Sequence, residues 1–133
     1  DAVIVVTTNI SYEGCRNLNQ SFISRMNMII DIDEPTTAVK TKRVKNITDF
    51  TDDDLLKKIV ETGEKISEYC KEMQITDGTC GMRELISWAQ SAMIMNDPQE
   101  SALYTIIAAA TSDSDSRRDI ISACLEPVFG RIR

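Results

Sequence analysis

The stretch AVIVVTTNISYEGCRNLNQSFISRMNMIIDI, residues 2–32, sets the tightest limit on what this chain can fold into. It opens on an apolar, largely β-branched run from Ala2 to Val6 and closes on a second, Met28 to Ile32. Side chains of that shape favour strands. A strand apolar on both faces suits the middle of a parallel sheet covered by helices. The first run ends in Thr7-Thr8-Asn9; after a polar loop, Leu18 to Ile23 reads as a short amphipathic helix ending at Arg25. Two strands therefore lead the chain, and both need neighbours for their backbone groups.

Past Pro35 the apolar period changes from strand to helix. Thr36 to Asn46 reads as a helix anchored by Val39 and Val44. In the next, Thr51 is the expected N-cap with Asp54 at the third position, and Leu55, Ile59, Ile66, Cys70 and Met73 recur at helical spacing. Gly63 in its middle costs about 1 kcal/mol relative to Ala, which predicts a bend or close packing there. Gly78 marks the stop and the turn. A third helix spans about Gly81 to Met95, with Leu85, Ile86, Ala89, Ala92 and Met93 on one face. Asp97-Pro98-Gln99-Glu100 starts a fourth, with Asp97 as cap and Pro98 at the first helical position. Leu103, Ile106, Ile107 and Ala110 form its buried side. A last helix carries Ile120, Ile121, Cys124 and Leu125 until Pro127 ends or kinks it. The expected fold class is mostly α: two N-terminal β-strands over 1–34, then a helical bundle over 35–133.

Composition removes several function classes. A net charge of −6 over 133 residues argues against a phosphate-backbone binder, a helix-turn-helix DNA reader included. No stretch approaches the roughly 20 apolar residues of a membrane span. With no histidine, Cys/His zinc sites and His-based triads are excluded. Cys15, Cys70, Cys80 and Cys124 contain no CxxC pair, so no metal site is expected. They read as reduced, mostly buried thiols of a cytoplasmic protein.

Three residues remain as carriers of chemistry. Asn9 sits past the carboxyl end of an apolar strand, where open α/β sheets place their ligands; it also suits a plain strand-closing turn. Arg25, at a helix end, presents a planar guanidinium suited to phosphate, or to a surface ion pair. Arg83 falls in the first turn of its helix, where the macrodipole disfavours a cation. Either Glu84 compensates it, or it meets an anion together with the free N–H groups of that turn.

The order strand-Thr-Thr-Asn, GCRNLNQSFISRMN, strand, Pro, then a bundle containing CGMRELISWAQ, resembles the AAA+ ATPases of the MoxR and dynein-related group. The likeness is in particular to the branch that works with von Willebrand A-domain partners, and it covers essentially the whole chain. It implies the C-terminal part of an AAA+ module, with residues 1–34 a remnant of its α/β core and residues 35–133 its helical lid. It further implies that Asn9 is the sensor-1 residue, Arg25 the arginine finger and Arg83 the sensor-2 arginine, so that Asn9 and Arg83 also bind the nucleotide. ATP and Mg²⁺ as cofactors of a longer parent, a hexameric ring, a client or von Willebrand A-domain partner, and a cytoplasmic setting follow from the same likeness. Neither nucleic acid nor membrane is an expected partner.

Two departures stand out. Met26 follows the finger where the group commonly has Phe. More important, none of the glycines Gly14, Gly63, Gly78, Gly81 and Gly130 opens a GxxxxGK[ST] phosphate loop. The residues present are therefore expected neither to hold nor to hydrolyse ATP unaided. The competing expectation is a self-contained helical interaction module without enzymatic activity.

Overall fold

The computed structural model describes residues 1–8 and 18–132. The chain divides into two compact units, Asp1–Glu34 and Pro35–Arg133.

Among the described residues the first unit contains one short helix, α1 (Gln20–Ile23), whose Asn19 side chain accepts the Ser21 N–H. No strand is present among the described residues. The expected pair of strands, Ala2 to Val6 and Met28 to Ile32, is thereby corrected, and the fold class with it: the described secondary structure is helical. Val3 is 94% exposed and Ile30 72%. The physical reason lies in what an apolar run encodes. A strand obtains its backbone hydrogen bonds from another segment, and a short apolar run states a need for burial without supplying the partner. A helix satisfies its own backbone and needs a partner only to cover its apolar face.

The second unit is built on α2 (Thr37–Thr48), α3 (Asp53–Glu72), α4 (Met82–Met95), α5 (Pro98–Tyr104), α6 (Ile106–Ala110), α7 (Ser114–Ile120) and α8 (Glu126–Phe129). Residues Ile121–Leu125 form a π turn between the last two. Most starts are capped by side chains. Asp97 Oδ1 accepts the N–H groups of Gln99 and Glu100, both at 2.9 Å, and Asp113 accepts that of Ser116 at 2.8 Å. The cap of α3 is Asp52, not Thr51, because a carboxylate is the stronger acceptor and reaches the Leu55 N–H at 3.0 Å.

The core gathers Leu56, Ile59, Val60 and Ile66 of α3, Leu85 and Trp88 of α4, Ile106 and Ile107 of α6, Ile120, and Leu125. Trp88 is fully buried, donates its indole N–H to Pro98 O at 2.7 Å, and meets the Phe129 ring edge-to-face at 6.0 Å. Gly63 serves close packing: a Cβ there would stand 2.7 Å from Leu85 Cδ1. The expected fourth helix is two pieces. It breaks at Thr105 (φ −117°, ψ −95°), whose hydroxyl donates to Ser101 O at 2.7 Å. Arg117 then closes α6, its Nε–H donating to Thr111 O at 2.7 Å.

The π turn has an identifiable cause. A proline inside a helix clashes with the carbonyl four residues earlier, here Ala123 before Pro127. One extra residue in the turn widens it, and Glu126 N–H bonds five residues back to Ile121 O. No helix among the described residues is long and apolar enough to cross a membrane.

Candidate functional site

Of the three residues singled out by sequence, Asn9 lies outside the described residues. Arg25 belongs to the first unit and Arg83 to the second, so each has its own setting. Arg25 follows the Ser24 cap of α1, and its N–H donates to Phe22 O at 3.1 Å. Its side chain is exposed and has no hydrogen bond or ion pair among the described residues.

Arg83 is the second residue of α4. The helix starts from Gly81, which has no side-chain acceptor, so no side chain at that cap covers the first-turn N–H groups. Glu84 does not neutralise Arg83 by pairing with it. Its Oε2 accepts the Gly81 N–H at 2.8 Å and its Oε1 the Thr79 hydroxyl at 3.2 Å, so both oxygens are turned to the preceding loop. Arg83 is exposed and makes no hydrogen bond or ion pair among the described residues. An exposed guanidinium beside free N–H groups at the positive end of a helix of 14 residues has the chemistry to attract an anion.

The loop that sets this helix start is fastened at three points. Asp77 Oδ2 accepts both the N–H and the hydroxyl of Ser112, each at 2.7 Å. Those two hydrogen bonds are the main reason its carboxyl is pulled down to about 2. Gly78 then lies directly on the end of α6: a Cβ would stand 2.2 Å from Ala109 O and 2.4 Å from Ala110 O. Only glycine allows that approach, and Thr79 N–H donates to Ala109 O at 2.8 Å. Finally Cys80 Sγ donates to Gly63 O at 3.7 Å. Burial foremost, then the neighbouring Cys70, Glu84 and Cys124, pushes the Cys80 thiol up to about 12, while Lys40 pulls the other way. A thiol so disposed is no nucleophile at neutral pH.

Sequence reasoning saw Gly78 as a turn and missed Asp77 as the clasp. The available signal was an Asp immediately before a Gly, facing the later Thr111-Ser112 turn. Cys70, Cys80 and Cys124 are free thiols. Among the described residues no group of three or more Cys, Asp or Glu is arranged to hold a metal ion.

An uncharacterized protein of Staphylococcus saprophyticus subsp. saprophyticus is 24% identical to this chain over 120 residues, covering 90% of the chain and 44% of that protein. The chain thus spans less than half the length of that relative. No family model and no solved structure matches the chain.

Proposed function

We propose that this chain is the C-terminal part of an AAA+ ATPase of the MoxR and dynein-related group, with Pro35–Arg133 as its lid. The observation that carries the reading is the unpaired guanidinium of Arg83 at a helix start whose cap has no side-chain acceptor. A group so placed binds a phosphate oxygen and stabilises charge that develops on it. The match to only 44% of a longer relative agrees with a larger parent.

In this reading Arg83 touches the γ-phosphate from the lid, Asn9 orients the attacking water, and Arg25 reaches the nucleotide of a neighbouring subunit in a hexameric ring. The parent is cytoplasmic and couples hydrolysis to remodelling a partner, a von Willebrand A-domain protein or another client. Mg²⁺ accompanies the nucleotide and neutralises phosphate charge. The described residues do not fit it, having no acidic cluster to hold it, so no step here passes through the ion.

The test uses a protein in which this sequence follows an intact phosphate loop. Arg25→Ala is expected to lower ATP turnover by about 10³-fold or more, as removal of an arginine finger does, with nucleotide binding retained. Arg83→Ala is expected to lower kcat by about 10²-fold. Turnover that survives both changes overturns the finger and sensor-2 assignments. The independent core of Pro35–Arg133 favours one second reading, a helical interaction module without enzymatic activity. It requires that the unsubstituted protein show no ATP turnover for either change to lower.

A further inference from the structure

The outward face of α2 has a chemistry unlike its surroundings. The helix carries Lys40, Lys42, Arg43 and Lys45 and no acid, in a chain whose net charge is −6. Its buried side is Val44 and Thr48. Two cations turn to α3: Lys40 Nζ lies 3.2 Å from Glu64, and Lys45 Nζ 2.6 Å from Asp53. Lys42 and Arg43 are exposed and have no partner among the described residues. Beside them Val39 is 54% exposed and Ile47 49%. Val39, Arg43 and Ile47 follow one another at four-residue spacing and form a ridge; Lys42 and Asn46 form the ridge beside it.

We propose that this face docks an acidic amphipathic helix of a partner protein, its apolar residues covering Val39 and Ile47 and its carboxylates meeting Lys42 and Arg43. Charge complementarity selects that occupant. An acidic partner is repelled by most of this chain and attracted by α2, which fixes where it lands. An extended polyanion or an anionic bilayer needs a broad basic surface. Here the acids Asp49, Asp52, Asp53 and Asp54 follow the helix immediately. The proposal does not depend on the ATPase reading.

The probe is a synthetic amphipathic helix with Leu and Glu on one face, set against its Lys counterpart, in fluorescence anisotropy and amide NMR titrations of the chain. The Glu helix is expected to bind, with shifts confined to α2. The pair Lys42→Glu with Arg43→Glu is expected to weaken it about tenfold or more, and Val39→Ser to weaken it with no change in salt dependence. Circular dichroism verifies that the variants remain folded. Equal binding of the Lys helix, or shifts elsewhere, overturns the proposal. So does capture by phosphatidylserine vesicles in place of the peptide, or self-association of the chain that the charge reversals abolish, since the occupant would then be a bilayer or a second copy.

Discussion

The two units use apolar residues in opposite ways. In Asp1–Glu34, Val3, Ile4, Ile29, Ile30 and Ile32 are between 64% and 94% exposed, and the regular structure among the described residues is the four-residue α1. In Pro35–Arg133 a comparable supply of aliphatic side chains lies buried at 0 to 4% on helices whose ends are capped. Hydrophobicity per residue does not separate them. What differs is whether a segment closes its own backbone hydrogen bonds before it packs. A helix does, and needs only one covered stripe; a two-sided apolar strand needs neighbours at both edges and cover on both faces.

That contrast is open to attack by substitution. The largest effect is expected at Trp88, where Trp88→Ala removes a fully buried ring together with its contacts to Pro98 and Phe129. Urea unfolding should record a loss of about 3–5 kcal/mol. Gly78→Ala comes next, because the new methyl would meet backbone oxygens that cannot rotate away. A loss of about 1–3 kcal/mol is expected from such overpacking, and an unchanged midpoint would mean that the loop is not seated on α6.

Asp77 sharpens the same point through pH. Its folded value of about 2 lies below the ordinary 3.8, so its contribution is fully present above 3.8 and is lost as pH falls through about 2. Asp77→Asn should lower stability at neutral pH and flatten the stability curve across that acid window, as read by thermal melts at stepped pH. The smallest effect is expected in the first unit. Ile4→Ser with Ile30→Ser should leave the melting of the helical bundle within about 0.5 kcal/mol of the parent, as exposed substitutions do. A loss on the scale of Trp88→Ala would dissolve the distinction between the units.

The helical half was legible because its signals are local. Asp97-Pro98 and the period of α3 contain their own instructions, and α4 falls within a residue of the expected span. The break at Thr105 and the π turn were not legible, since they answer to tertiary packing and to a carbonyl clash. The strands failed for a non-local reason: Ala2 to Val6 and Met28 to Ile32 describe a demand whose answer is another piece of polypeptide. At the candidate site, Arg83 against the helix dipole was visible as an oddity. That Glu84 faces Thr79 and Gly81, leaving the arginine unneutralised, required the loop geometry set by Asp77, Gly78 and Cys80.

The widened turn at Ile121–Leu125 also has a consequence for chain length. Such a turn holds one more residue than the helix on either side demands, and Ser122 within it faces solvent. Excising Ser122 would ordinarily rotate everything downstream off the core. Here it should let the turn relax to ordinary pitch while Leu125 and Phe129 keep their seats, provided Pro127 is exchanged for Ala at the same time. With that exchange the segment is expected to tolerate a shortening that an uninterrupted helix would not, and circular dichroism with melting of the shortened chain would register it.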